Sequence, residues 1–151
     1  MVIQIKFQQE IPRLIGRKIK RKLERILKDL ACHDKELSVL FTNDEEMAQL
    51  NRRYLGRKGP TNVLAFPMAG GPTPEIESVI LGDVVISVDT AFQEAEQFGE
   101  TREHVIDRLL IHGVLHLLDY DHEESGAEDR RMRKEEERLM ALIADFDRGG
   151  S

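Results

Sequence analysis

The 151-residue chain has little of several residue types on which whole classes of protein depend. Its only cysteine, Cys32, cannot form an internal disulfide or contribute to a multi-thiolate metal site, and it agrees with a reducing compartment. Tryptophan is absent and aromatic residues make up 5% of the chain, so few rings are available to stack on nucleobases, with Tyr54 and Phe66 as candidates. No apolar run approaches the roughly 18 to 20 residues that a membrane-spanning helix needs. These shortages exclude a disulfide-stabilised fold and a membrane-embedded one.

The first sixteen residues alternate polar and apolar side chains and lack the uninterrupted apolar core of a secretory signal, which predicts a cytoplasmic protein. An apolar content of 40% with 33% charged residues is typical of a globular protein. No linker, repeat or low-complexity segment divides the chain. We therefore expect one catalytic domain over residues 1–148 and a disordered tail at residues 149–151.

The net charge of the chain is small, but its charged residues are unevenly distributed along the sequence. The net charge of −6 argues against a nucleic-acid partner, because such binding depends on neutralising phosphates. Residues 11–28, however, contain eight Lys and Arg against one acidic residue, a local charge of +7. A second basic group comprises Arg52, Arg53, Arg57 and Lys58. A basic stripe is ordinarily a solvated face, and it becomes a binding surface only where a site lies beside it.

The hydrophobic periodicity predicts an α+β fold. Alternating or continuous apolar patterns predict strands near residues 2–8, 37–41, 61–67 ("TNVLAFP") and 78–87 ("SVILGDVVIS"). Spacings of three to four residues and capping signals predict helices near 14–30, 43–54, 89–98, 101–117 and 128–146. The segment 78–87 is apolar on both faces and should be a central strand. We expect a small mixed sheet of about four strands with helices packed on it.

Three of the five histidines lie within "IHGVLHLLDYDH", residues 111–122. His112 and His116 are four apart on a predicted helix, so their rings share a face. An unbroken helix would place His122 roughly 120° around and about 9 Å along, out of reach. The helix must therefore end first, and Asp119 or Asp121 can adopt the left-handed conformation that reverses the chain. His122 can then return as a third ligand.

Three neutral imidazole nitrogens suit one Zn²⁺ at the end of this central helix, with the fourth position left to a water that ionises near neutral pH. The same donors also accept nickel, copper or iron. In the alternative interpretation, one histidine satisfies a core hydrogen bond, another caps the helix, and the spacing is accidental. His33 and His104 stand alone and are not expected to be ligands.

The spacing HxxxHxxxxxH is also that of the metzincin peptidases, HExxHxxGxxH. Their second position is a glutamate that takes the proton from the zinc-bound water. Gly113 occupies that position here. A metallohydrolase acting on peptides or small molecules remains an alternative, but it lacks its general base.

The segment "HGVLHLLDYDH" resembles the HGxLHLxGYDH signature of the YbeY family of bacterial endoribonucleases. The blocks "PTNVLAFP", "LGDVVIS", "LNRRY" and "EDRRMRKEEE" agree in order and spacing over about residues 37–139. The resemblance implies an α+β fold, one zinc ion held by His112, His116 and His122, and metal-dependent cleavage of single-stranded RNA. It further implies a role in ribosomal RNA maturation and ribosome quality control. The expected partners are ribosomal RNA and the small ribosomal subunit, with no DNA and no membrane.

The chain departs from the family pattern at three positions. Asp119 stands where the family usually has glycine, and Ala65 where it often has serine. Leu55 occupies the place of the functional arginine. Arg57 is the preferred replacement to contact a phosphate, with Arg53 as the alternative.

In the expected mechanism, zinc polarises a phosphoryl oxygen and supplies hydroxide while basic side chains hold the RNA. Asp119 and Asp121 would orient ligand histidines or accept a proton from the water, unless they are exposed turn residues. A third hypothesis is a non-enzymatic ribosome-associated factor whose metal only stabilises the fold.

Overall fold

The computed structural model describes residues 2–8, 16–67, 80–118 and 126–148. Over these residues the chain forms four strands and five helices. The strands are β1 (Val2–Phe7), β2 (Glu36–Thr42), β3 (Val63–Pro67) and β4 (Ile80–Ser87). The helices are α1 (Gly16–Asp29), α2 (Asp44–Leu55), α3 (Val88–Phe98), α4 (Arg102–Leu117) and α5 (Gly126–Arg148). The predicted α+β class with a sheet of about four strands is confirmed.

The four strands form one mixed sheet in the order β1-β2-β4-β3. β1 and β2 are parallel, as are β2 and β4, whereas β3 runs antiparallel to β4. In register, Ile5 lies beside Val39 and Val39 beside Val84. The strand that contains "LGDVVIS" therefore lies inside the sheet, as its apolar pattern predicted.

The two faces of the sheet carry cores of different size. On one face, Val39, Phe41, Val84 and Ile86 are fully buried in the main core, which also contains the apolar stripes of α1, α4 and α5. On the other face, Val85 and Leu64 pack against Met47 of α2 in a much smaller cluster. Because strand side chains alternate between faces, adjacent residues of β4 serve the two cores.

Local sequence signals account for the helix ends. Asn43 caps α2 by accepting from the backbone N–H of Glu46 at 2.9 Å, and Thr101 caps α4 by accepting from that of His104 at 3.0 Å. Gly99 ends α3 in the left-handed conformation, with φ of 66°. The predicted helix limits agree with the structure to within about two residues at these ends.

α1 is attached to α4 by a buried ion pair. Nζ of Lys22 donates to Oδ2 of Asp107 at 2.8 Å and to Oε1 of Glu103 at 3.0 Å. Lys22 is 1% exposed and Asp107 3% exposed. At least this one charge of the basic segment therefore points into the molecule, where the sequence had indicated a solvated face.

No helix among the described residues combines the length and hydrophobicity that crossing a bilayer requires. The predicted tail, residues 149–151, lies outside the described residues. The single-domain assignment over residues 1–148 stays a prediction.

Candidate metal centre

The C-terminal half of α4 brings two histidine rings to one point. Nε2 of His112 and Nε2 of His116 are 2.9 Å apart, and the ring centroids are 4.4 Å apart. In a tetrahedral zinc site with Zn–N bonds of about 2.0–2.1 Å, two ligand nitrogens are about 3.3 Å apart. A small rotation of either ring would reach that separation. The pair therefore fits two of the three positions in the predicted ligand set.

The ring of His112 is held from its other side by α5. Its Nδ1 lies 2.6 Å from Oε1 of Glu136. A carboxylate can only accept, so the ring carries the proton on Nδ1 and donates it to Glu136. In the tautomer with that proton, Nε2 is unprotonated and faces His116. One third of the His112 side chain is exposed.

Gly113 is required by the packing of α4 on the sheet. A Cβ atom at this position would lie 2.7 Å from Cγ1 of Val84 and 3.4 Å from Cγ2 of Val63. The helix backbone therefore touches β3 and β4 directly beside His112. A glutamate at position 113 would clash with the sheet and could not point toward the histidines. The metzincin-like alternative thus lacks both the general base and the space for it.

Three predicted site residues, Asp119, Asp121 and His122, lie outside the described residues. Whether His122 completes the ligand set stays a prediction. Among the side chains described in residues 2–8, 16–67, 80–118 and 130–144, no group of three or more His, Cys, Asp or Glu has the geometry to hold a metal ion. These residues therefore supply two of the three predicted ligands, His112 and His116.

The remaining histidines and the cysteine lie elsewhere. His104 is about half exposed and its Nε2 is 3.1 Å from Oε2 of Glu100. His33 is an exposed residue in the connection between α1 and β2. Cys32 is buried, its Sγ donates to the carbonyl of Leu30, and burial raises the pKa of its thiol. A buried neutral thiol is a poor metal ligand, in agreement with its exclusion from the site.

The loop after α2 carries the predicted phosphate contact. Gly56 is left-handed and its N–H donates to the carbonyl of Arg52, while the N–H of Arg57 donates to that of Asn51 at 3.3 Å. The Asn51 side chain also donates to the carbonyl of Gly59 at 2.9 Å. The backbone at Arg57 is therefore tied to α2, and its side chain is exposed.

This loop leads into the start of β3, where Val63 approaches Gly113 of α4. Arg53 is also exposed, and so is Leu55, at 47%. The choice between Arg57 and Arg53 stays a prediction.

α5 also carries a basic surface. Arg130, Arg131, Arg133 and Lys134 line a concave region of about 470 Å³ together with one glutamate. Arg133 lies three residues before Glu136, so it is one turn away on a neighbouring part of the helix surface. This concentration of positive charge on α5 was not singled out from the sequence.

The aromatic candidates lie on the other face of the sheet. The rings of Tyr54 and Phe66 meet edge to face at 5.3 Å and line a groove of about 430 Å³ between α2 and the sheet. Tyr54 is 58% exposed. Ala65 is on the opposite face, half-buried against the main core. The alanine that stands here in place of the family's serine therefore lies on the side of β3 that faces α4.

Glu136 is the residue of the site to which the sequence assigned no role. One signal was present, because Glu136 falls within the stripe Met132, Leu139 and Ile143, all of which are buried. A charged residue at an apolar position of a helix requires a partner. Periodicity marks such a residue but does not identify the partner, which lies 24 residues earlier in the chain.

Comparisons with known proteins identify the family to which the chain is similar. A family model described as Endoribonuclease YbeY matches residues 3–144. The chain is 41% identical over 144 residues to endoribonuclease YbeY of Syntrophus aciditrophicus, covering 95% of this chain and 90% of that protein. It is 44% identical over 128 residues to endoribonuclease YbeY of Geobacter sulfurreducens, covering 84% and 85%.

Among solved structures, the solution structure of TM1509 from Thermotoga maritima is similar in fold. The TM-score is 0.69 at 21% identity, over 99% of this chain and 93% of that one. At this identity the similarity concerns the fold alone.

Proposed function

Because this chain belongs to the endoribonuclease YbeY family, we propose that it is a zinc-dependent enzyme that cleaves single-stranded RNA. The family makes it a hydrolase of RNA phosphodiester bonds. We further propose a role in ribosomal RNA maturation and ribosome quality control in the cytoplasm, with the small ribosomal subunit as its partner. The observation that carries the metal-dependent mechanism is the convergence of His112 and His116 through their Nε2 atoms.

His112 and His116 would hold the ion, with His122 as the third ligand. Imidazole donors with an open position suit a catalytic zinc ion, and exposure of His112 at the protein surface leaves room for substrate. A bound zinc ion supplies a Lewis acid that withdraws charge from a phosphoryl oxygen of the scissile bond. Asp119 and Asp121 are proposed to accept a proton or to orient a histidine ring.

Exposed cations in two parts of the chain would bind the RNA backbone. Arg57 lies in the loop before β3, and Arg133 and Lys134 lie on α5. Guanidinium groups bind phosphate oxygens in a bidentate fashion, which positions the substrate and stabilises negative charge in the transition state. The net charge of −6 is compatible with this role because the positive charge is local.

A single-stranded RNA cleavage assay on metal-analysed protein tests the proposal. We expect the wild type to cleave unpaired RNA, to spare duplex RNA of the same sequence, and to lose activity on chelation. His116→Ala should reduce cleavage to background, and Arg57→Ala should reduce it roughly tenfold or more, as for the loss of one charged contact of about 1.5–3 kcal/mol. Undiminished cleavage by His116→Ala would contradict the assignment.

His104→Ala is the matched control, because it removes an exposed histidine from the same helix at a distance from the pair. It should retain wild-type cleavage. Peptide hydrolysis without RNA cleavage would favour the metzincin-like alternative. The non-enzymatic factor would be favoured if no form of the protein cleaves RNA. Metal removal should in that case lower the melting temperature while RNA binding persists.

A further inference from the structure

The contact between α4 and α5 at the histidine pair has a consequence for metal binding. We propose that Glu136 is a positioning residue that fixes the tautomer and the orientation of the His112 ring, so that Nε2 of His112 is presented as a metal ligand. This inference rests on the proposed metal-dependent function and adds to it a residue that does not bind the ion.

Ring geometry assigns Glu136 to the outer side of the site. Nδ1 and Nε2 project from different sides of an imidazole, and Glu136 contacts Nδ1 while His116 lies against Nε2. A carboxylate on the Nδ1 side cannot reach an ion that is held by Nε2. Glu136 therefore acts through His112, as carboxylates do that orient metal-binding histidines.

The same contact determines which nitrogen carries the proton. Glu136 accepts from Nδ1–H at 2.6 Å, which leaves the Nε2 lone pair of His112 directed at His116. Nε2 of His116 lies 2.9 Å from that nitrogen, within hydrogen-bonding distance. Without the carboxylate, the ring could take the other tautomer or rotate, and both changes remove the lone pair from the site.

The position of Glu136 in α5 makes this contact rigid. Met132 and Leu139, on either side of it along the helix, are 3% and 0% exposed and anchor α5 in the main core. The Glu136 side chain itself is 20% exposed. The buried residues on either side of Glu136 hold its carboxylate beside Nδ1 of His112.

The test is the affinity for Zn²⁺ alone, measured by competition with a chromophoric chelator. Glu136→Ala should weaken binding roughly 10- to 100-fold, within the range found for such outer partners. Glu136→Gln keeps an oxygen acceptor and should recover part of that loss. Glu137→Ala, an exposed neighbour on α5, is the matched control and should bind Zn²⁺ as the wild type does.

A spectroscopic measurement on the wild type does not depend on any variant folding. Long-range ¹H–¹⁵N correlation of the metal-free protein should show His112 with its proton on Nδ1, and Glu136→Ala should mix or reverse that tautomer. A proton on Nε2 of His112 in the wild type would overturn the inference, as would wild-type Zn²⁺ affinity in Glu136→Ala. A wild-type protein that binds no divalent ion would instead overturn the proposed function.

Discussion

Two of the polar contacts that α4 makes with neighbouring helices differ in how far they are exposed to solvent. Near its start, Asp107 pairs with Lys22 of α1, and both residues are at most 3% exposed. Near its end, His112 pairs with Glu136 of α5, and the two side chains are 33% and 20% exposed. The first contact is enclosed, whereas the second is partly exposed and leaves one ring nitrogen of His112 directed at His116. The comparison separates a contact that maintains the packing of the helix from one that prepares a side chain to bind a ligand.

The enclosed contact should show the largest effect on stability. Lys22→Met removes the ammonium group that lies 2.8 Å from the buried Asp107 carboxylate, and we expect a loss of about 3–5 kcal/mol in the free energy of unfolding. Urea denaturation measures this loss. Lys20→Met, an exposed change in the same helix, should stay within about 0.5 kcal/mol of the wild type.

Replacing both Lys22 and Asp107 tests whether the buried charge causes this loss of stability. The double variant Lys22→Met with Asp107→Leu should recover most of the lost stability, because an apolar pair can replace a buried ion pair. If the double variant has the same free energy of unfolding as Lys22→Met, the loss arises from packing rather than from removing the cation beside the Asp107 carboxylate.

Gly113 tests the close approach of α4 to the sheet beside His112. Gly113→Ala places a methyl group 2.7 Å from Cγ1 of Val84, and the required shift should cost about 1–3 kcal/mol by urea denaturation. Gly16→Ala is the control, since its Cβ would meet the Phe7 ring at an ordinary 3.5 Å. Equal stability of the two variants would show that α4 can withdraw from the sheet without cost.

Replacing His112 should affect metal binding, whereas replacing Lys22 should affect the stability of the fold. His112→Ala removes a side chain that is one third exposed, so the metal-free protein should lose about 1 kcal/mol or less. Zn²⁺ binding should nevertheless be abolished, as measured by chelator competition. A loss of stability as large as that of Lys22→Met would erase the distinction between the two contacts.

The smallest effect is expected at an exposed ion pair. Arg138 lies 2.7 Å from Asp29 of α1 and 2.5 Å from Glu135, and these carboxylates raise the pKa of its guanidinium. Its side chain is 46% exposed, so Arg138→Ala should cost only about 0.2–1 kcal/mol. The cost should fall further when urea denaturation is repeated at high salt. A salt-independent cost above that range would mean that solvent exposure does not determine how much each of these contacts contributes to stability.

The elements and part of the site were predictable because their signals are local. Asn43, Thr101 and Gly99 mark helix ends within a few residues of the backbone groups they satisfy. The convergence of His112 and His116 follows from a spacing of four on one helix, whatever the rest of the chain does. The third ligand, His122, depends on a chain reversal that lies outside the described residues, and it stays a prediction.

What only the tertiary structure decided is which helices and strands are neighbours. A charged residue at an apolar position is visible in the sequence at both Lys22 and Glu136, but its partner is 85 residues away in one case and 24 in the other. Likewise the sequence showed only that Gly113 stands where the metzincins have their general base, and the closeness of Val84 shows that a side chain there would clash with the sheet. Spacing along one element fixes which side chains share a face, whereas the packing of elements determines what that face meets.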